Sequence, residues 1–175
     1  MDIRKNYFEF IGLPVAYQLD LIRLSDQARE LQKTLHPDRF AHLSDQEQRR
    51  AVQYMAYLNE GVSTLKSPLR RAQYLLSLAD IDTHNESSTP IDPMFLMQQM
   101  ELREQLESVM DANDPLAELE ALSEAVEDQL KLLRQSFAQQ YEAPDLDTAT
   151  VTVRKMQFIE KLATEIERLE DQLDD

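Results

Sequence analysis

The sequence contains no cysteine, which excludes disulfide bonds and thiolate metal sites within its 175 residues. Tryptophan is also absent and only two glycines occur, whereas Leu, Ala, Glu and Gln are abundant. Because these abundant residues favour helices, the composition predicts an all-α fold.

Long apolar segments are missing as well. No apolar run reaches the roughly eighteen residues that a membrane-spanning helix needs. The first ten residues, MDIRKNYFEF, lack the apolar core of a secretory signal. We therefore expect a soluble, cytoplasmic protein.

Positive charge is scarce in the second half of the chain. Residues 1–79 carry 11 Lys and Arg against 9 Asp and Glu, whereas residues 80–175 carry 7 against 24. Nucleic-acid binding needs a basic surface, so the acidic half argues against it. The acidity fits either a partner with a basic surface or a need for solubility alone, and the composition leaves both open.

Signals of catalysis are also lacking. No Gly-rich phosphate loop occurs, and three histidines without a cysteine leave few candidates for a nucleophile and its base. His42 and His84 lie in polar surroundings, which indicates surface positions. The second half has no Glu-x-x-His motif of the kind found in di-iron bundles. We expect no enzyme activity, no metal site and no cofactor.

Four amphipathic helices are predicted in residues 1–79. Their starts and stops are Gly12 and Pro14 after the first, Asp20 and Pro37 around the second, Ser44 or Asp45 before the third, and Ser67-Pro68 before the fourth. Their apolar positions are Tyr7, Phe8 and Ile11; Leu21, Leu24, Ala28, Leu31 and Leu35; Val52, Met55, Leu58, Val62 and Leu65; and Leu69, Ala72, Leu75, Leu76 and Ala79.

The second half predicts a three-helix bundle. Residues 80–93 are polar and contain two prolines, so they are interpreted as a linker between a domain at 1–79 and a domain at 94–175. Short connections between long amphipathic helices favour antiparallel neighbours. Two of these helices start at Asp92-Pro93 and Asp114-Pro115, and Ala143-Pro144 breaks the second from the third. The apolar positions are Leu116, Leu119, Val126, Leu130, Leu133 and Phe137 on the second helix, and Val153, Met156, Ile159, Ala163, Ile166 and Leu173 on the third.

The tripeptide His36-Pro37-Asp38 lies between two of these amphipathic helices. Alone it is a weak motif, because Pro37 and Asp38 could simply end a helix and make a turn. In this context it presents an imidazole, a rigid kink and a carboxylate together. Arg29 and Lys33 fall on the outer face of the preceding helix, where an ordinary solvated charged face would look similar.

Residues 1–79 resemble the J domain of the DnaJ superfamily. The matching stretches are YFEFIGLP, LIRLSDQARELQKTLHPDRF and NEGVSTLKSPLRRAQYLL. The resemblance implies an antiparallel helical hairpin with short flanking helices, and a DnaK-type chaperone as partner. It further implies that a set of residues around the tripeptide docks on that chaperone and stimulates its ATPase: His36, Pro37, Asp38, Arg29, Lys33 and Arg39.

The helix that begins at Pro93 has more apolar residues than one core face needs. Phe95, Leu102, Leu106 and Val109 form a stripe, and a second set including Leu96, Met97 and Met100 lies off it among glutamates. Neighbouring helices could cover this second set. If exposed, its methionines would suit adaptable protein binding.

The arrangement of the whole chain resembles the HscB family of iron–sulfur co-chaperones. The stretches FLMQQMELREQLE and TVRKMQFIEKL are close to that family's client-binding bundle. The resemblance implies that the protein binds an IscU-like iron–sulfur scaffold, delivers it to an HscA-like chaperone, and so promotes cluster transfer and protein maturation. The client-binding residues carried over are Leu96, Met97, Met100, Glu101, Glu104 and Phe158. A J-domain co-chaperone with a different client is the alternative.

Overall fold

The computed structural model describes residues 3–84 and 90–174, and these residues form seven α-helices and no strand. The predicted all-α fold is confirmed. The helices are α1 (Tyr7–Ile11), α2 (Leu21–Leu35), α3 (Asp45–Lys66), α4 (Pro68–Ser77), α5 (Pro93–Ser108), α6 (Pro115–Glu142) and α7 (Leu146–Asp174). No helix within the described ranges is long and apolar enough to cross a membrane.

Local signals set the helix ends where the sequence predicts them. Gly12 ends α1 in the left-handed conformation, with φ of 88°, which glycine adopts without the steric cost of a Cβ. Asp20 accepts hydrogen bonds from the N–H groups of Ile22 and Arg23 at the start of α2. Side-chain caps of the same kind open the other long helices at Ser44, Asp92 and Asp114.

The chain divides into two compact units, residues 1–75 and residues 76–175. In the first unit α2 and α3 pack together and α1 contacts both. The core of this unit consists of Phe8, Ile11, Leu13, Tyr17, Leu24, Ala28, Leu35, Ala51, Leu58, Leu65, Ala72 and Leu75. The hairpin with short flanking helices is therefore present.

Some predicted core positions in the first half are wrong. Leu21 is exposed because it is the first residue of α2. Val52 is exposed and the neighbouring Ala51 is buried, whereas Leu58 and Leu65 further along α3 are buried as predicted, so the predicted face is wrong only near the start of α3. Ala79 is exposed because it lies beyond the end of α4. At this end the Ile81 N–H donates a hydrogen bond to the Leu76 carbonyl.

The second unit contains the three predicted helices α5, α6 and α7. The long helices α6 and α7 are joined by a three-residue turn and pack along each other, so they run antiparallel. Leu116, in the first turn of α6, is exposed, contrary to prediction. The main cluster joins all three helices and consists of Phe95, Leu106, Val109, Leu119, Leu122, Val126, Leu130, Ile159, Leu162 and Ile166.

The predicted linker, residues 80–93, includes residues 85–89, which lie outside the described residues. At its start, Thr83 is buried, and its carbonyl accepts a hydrogen bond of 2.8 Å from the Gln157 side-chain amide on α7. At its end, Asp92 caps α5. The linker boundaries stay a prediction.

Candidate functional site

The turn between α2 and α3 presents His36, Pro37 and Asp38 to solvent. His36 ends α2, and Pro37–Arg39 form a single 3₁₀ turn. The Asp38 N–H donates to His36 Nδ1 at 3.3 Å, and the same nitrogen lies 3.5 Å from Asp38 Oδ2. The turn therefore presents the imidazole and the exposed Asp38 carboxylate side by side.

Residues that end α2 and begin α3 fix both sides of this turn. Pro37 ends α2 because the residue before a proline avoids the helical conformation. On the other side Ser44 and Glu47 cap each other reciprocally at the start of α3. The hydrogen bonds from Ser44 lower the pKa of the Glu47 carboxyl. The turn is thus confined between two fixed helix ends, which reduces the ordering cost of binding.

Arg29 and Lys33 lie exposed on the outer face of α2, as predicted from the helical spacing. Each has an acidic neighbour on the same helix. Arg29 Nη1 lies 4.0 Å from Asp26 Oδ1, and Lys33 Nζ lies 2.8 Å from Glu30 Oε1. The hydrogen bond from Lys33 is the main cause of the lowered pKa of Glu30. The basic face is therefore partly neutralised within α2 itself, while Arg39 stands exposed in the turn.

On α5 a second group of predicted site residues is exposed to solvent. Met97 and Met100 are 62 % and 63 % exposed, and Leu96 is also exposed. The possibility that neighbouring helices cover them is thereby excluded for this chain. Glu101 and Glu104 are exposed one turn further along the helix. The arrangement is an apolar strip followed by carboxylates towards the C-terminal end of α5.

Phe158 brings α7 into contact with the start of α5. Its ring is exposed and meets the buried ring of Phe95 edge to face, with centroids 6.5 Å apart. Lys155, one turn earlier on α7, places its Nζ 2.6 Å from Asp92 Oδ2 and 5.2 Å from the centre of the Phe95 ring. The hydrogen bond from Lys155 lowers the pKa of Asp92. These contacts fix the first turn of α5 against α7.

Met94 belongs to the same exposed side of α5, and the sequence analysis missed it. It is 71 % exposed and lies three residues before Met97. Its spacing to Met97 was the available signal, but its position directly after Pro93 made it look like part of the helix start. We call Met94, Leu96, Met97, Met100, Glu101, Glu104 and Phe158 the α5 surface.

The two groups of predicted site residues lie in different units. His36, Pro37, Asp38, Arg29, Lys33 and Arg39 all belong to the first unit, and the α5 surface belongs to the second. Within residues 3–84 and 90–174 no three His, Asp or Glu side chains are grouped so that they could hold a metal ion. Both groups are open surfaces suited to contact with other proteins.

Known proteins are similar to this chain over both of its units. Residues 91–167 match a family model described as the HSCB C-terminal oligomerisation domain. A curated Vibrio cholerae protein named co-chaperone protein HscB homolog is 48 % identical over 168 residues, which are 96 % of this chain and 98 % of that protein. A protein of the same name from Shewanella loihica is 45 % identical over 171 residues, covering 96 % and 99 % of the two chains.

A solved structure is similar over the same length. The chaperone HscB from Vibrio cholerae is 47 % identical and superposes with a TM-score of 0.87, covering 97 % of this chain and 99 % of that one. The similarity therefore includes the tripeptide turn and the α5 surface within a single alignment.

Proposed function

The chain belongs to the HscB family of co-chaperones, and from this premise we propose that it is an adaptor between an IscU-like iron–sulfur scaffold and an HscA-like, DnaK-type chaperone. The observation that supports the proposal is that each unit exposes one of the two groups of predicted site residues to solvent. Residues 1–79 act as the J domain, and residues 94–175 bind the client. Co-chaperones are not enzymes; the chemistry that this chain promotes is ATP hydrolysis by its partner.

The chaperone-docking surface consists of the tripeptide and the outer face of α2. In a partly desolvated interface, Asp38 can accept a charge-assisted hydrogen bond from an arginine of the chaperone, which typically contributes about 1.5–3 kcal/mol. The imidazole of His36, beside it, can donate or accept a hydrogen bond. Arg29, Lys33 and Arg39 add attraction to an acidic partner surface, reduced by the ion pairs with Asp26 and Glu30.

The client-binding surface is the α5 surface. Burial of an exposed Met or Leu side chain in an interface stabilises the complex by about 1.5–3 kcal/mol each. Unbranched methionines adapt to the shape of a partner. Glu101 and Glu104 then favour a partner whose apolar patch is bordered by Lys or Arg. The iron–sulfur cluster in this scheme belongs to the scaffold and is cargo.

The client side is tested by titrating a purified IscU-like scaffold into the protein in a calorimeter. The variant Leu96→Ala/Met100→Ala/Phe158→Ala should bind at least about a hundredfold more weakly, since three apolar side chains are truncated and lose contact area. The matched control Met110→Ala/Leu132→Ala removes two exposed apolar residues outside the α5 surface and should bind like the parent. An unchanged affinity of the triple variant would refute the client surface.

The chaperone side is tested by steady-state ATPase measurements on an HscA-like chaperone. His36→Gln should abolish stimulation while the helical circular dichroism stays unchanged, because His36 is exposed and packs in no core. Stimulation that survives this change would refute the docking role of the tripeptide. Stimulation by the parent protein without any scaffold affinity would instead indicate a J-domain co-chaperone with another client.

A further inference from the structure

Three of the seven methionines are concentrated on the α5 surface. Met94, Met97 and Met100 are 71 %, 62 % and 63 % exposed. By contrast Met156 is fully buried and Met55 is half-buried. Soluble domains usually keep methionine inside, so three exposed thioethers on one helix need an explanation.

The spacing of these residues places the three thioethers in one strip. Each step of three residues turns the side chain by about 60° and advances it by about 4.5 Å along the helix. Met94, Met97 and Met100 therefore follow one another over about 9 Å of the solvent-facing side of α5. Leu96 and the glutamates Glu101 and Glu104 border this strip.

Exposed thioethers react with peroxides and hypochlorous acid. With hydrogen peroxide, the sulfur attacks one peroxide oxygen, the O–O bond breaks, an S–O bond forms and the second oxygen leaves as water. Sulfur is oxidised by two electrons and the peroxide is reduced by two. The product, methionine sulfoxide, is polar and chiral, and methionine sulfoxide reductases reverse the reaction.

We propose that Met94, Met97 and Met100 form an oxidation site through which peroxide-class oxidants weaken client binding reversibly. The inference rests on the proposed function of the α5 surface. A sulfoxide in an apolar interface adds a strong acceptor with no donor opposite it, so the oxidised strip loses its fit to an apolar patch. The adaptor would then release its client under oxidative stress while its own fold persists, because Met156 in the core is shielded.

Peptide mass spectrometry after graded hydrogen peroxide treatment tests the reactivity. Met94, Met97 and Met100 should gain one oxygen each before Met156 gains any. Saturating IscU-like scaffold should slow oxidation of these three but not of Met110, which is 54 % exposed outside the α5 surface. Oxidation of Met156 at the same rate as the three, or equal protection of Met110, would contradict the proposal.

Calorimetric binding of the scaffold before and after oxidation tests the consequence. The parent protein and the control Met110→Leu should each lose affinity by on the order of tenfold or more on oxidation, and sulfoxide reductases should restore it. For Met94→Leu/Met97→Leu/Met100→Leu, the scaffold affinity after oxidation should be nearly equal to the affinity before oxidation, whatever that first affinity is.

The outcomes separate the two hypotheses. If the parent binds the scaffold and oxidation leaves its affinity unchanged, the oxidation site is refuted and the proposed function stands. If the triple Leu variant loses as much affinity as the parent, oxidation acts elsewhere and the proposal also fails. If the unoxidised parent does not bind the scaffold at all, both the proposed function and the oxidation site are refuted.

Discussion

At the scale of single residues, the outer face of α2 shows how neighbouring charges would set the strength of the proposed docking surface. Lys33 Nζ lies 2.8 Å from Glu30 Oε1, and Arg29 lies beside Asp26. Exposed ion pairs of this kind add little to folding stability. Their larger effect is on association, because each carboxylate cancels part of the field that a cation projects towards an acidic partner.

Substitution Glu30→Gln should therefore tighten docking to the chaperone. Without the carboxylate, Lys33 presents its full charge, and the apparent affinity at low salt should rise by about two- to fivefold. The salt dependence of that affinity should become steeper, since more unscreened charge contributes. Surface plasmon resonance against an HscA-like chaperone at several ionic strengths measures both effects.

Glu9→Gln is the matched control for Glu30→Gln. It removes one exposed carboxylate from α1, away from the outer face of α2, and should leave affinity and salt dependence close to the parent values. Weaker docking of Glu30→Gln than of this control would mean that the outer face of α2 does not meet an acidic surface.

At the scale of helices, a close approach of α1 to α3 depends on Gly61. A Cβ at this position would lie 2.9 Å from Tyr7 Cδ1. The Tyr7 ring cannot move away easily, because it stacks on Tyr74 at 4.5 Å and meets Tyr57 at 4.9 Å. The Tyr7 N–H also donates to the Tyr74 hydroxyl at 2.9 Å. Gly61 is thus a position at which α1 packs closely on α3.

Gly61→Ala should lower the free energy of unfolding of the first unit by about 1–2 kcal/mol. Crowding of a packed site costs about 1–3 kcal/mol, and the better helix propensity of alanine returns up to about 1 kcal/mol. Urea unfolding followed by tyrosine fluorescence reports this unit, since five of the six tyrosines lie in it. Gln53→Ala on the exposed side of α3 is the control, and equal stability of the two variants would contradict the packing argument.

The start of α5 should be sensitive to acid through Asp92. Its pKa is lowered by Lys155, so the carboxylate stabilises the folded state at pH values above its unfolded pKa of about 3.9. This contribution is lost as the pH falls through the lower pKa of the folded state. The difference in unfolding free energy between the parent and Asp92→Asn should therefore be largest near neutral pH and shrink below about pH 4.

Urea unfolding followed by circular dichroism at 222 nm, from about pH 7 down to pH 3, measures this difference. Asp111→Asn is the control, because Asp111 lies three residues beyond the end of α5 whereas Lys155 pairs with Asp92, and it should destabilise the protein less than Asp92→Asn at neutral pH. A difference between the parent and Asp92→Asn that grows towards low pH would contradict the role assigned to the Lys155 contact.

The helix ends were predictable from the sequence and some of the buried faces were not. Capping residues such as Asp20, Ser44 and Asp92 act on N–H groups two or three positions away, so the signal is wholly local. Leu21 is exposed because it is the first residue of α2, whereas the exposure of Val52 depends on how the other helices pack on α3. That information lies in residues far along the chain, and helical periodicity alone misplaced both side chains.

The same distinction applies to the candidate sites. Helical spacing predicted the exposure of Arg29 and Lys33, but not their ion pairs, which depend on rotamers. Surplus apolar residues indicated the α5 surface, but whether α7 covered it could only be decided by the structure. Met94 was missed because it directly follows Pro93 and looks like part of the helix start, despite its three-residue spacing to Met97.

At the scale of the whole molecule, the two proposed binding surfaces lie in parts of the chain that differ in charge. Residues 1–79 are nearly balanced, with 11 basic and 9 acidic residues, whereas residues 80–175 carry 7 and 24. The near-neutral part contains the tripeptide turn, and the acidic part contains the α5 surface. An adaptor of this kind requires that both surfaces act from one chain, because delivery means that the client and the chaperone are held by the same molecule.

The most direct test of this claim is complementation between two variants, each with one intact surface. His36→Gln retains the α5 surface, and Leu96→Ala/Met100→Ala/Phe158→Ala retains the tripeptide. The measured quantity is the scaffold-dependent increase in ATP hydrolysis by an HscA-like chaperone, at scaffold concentrations below saturation. The parent should show the increase, and an equimolar mixture of the two variants should not. A mixture as active as the parent would contradict the adaptor, because the two surfaces would then work without being joined in one chain.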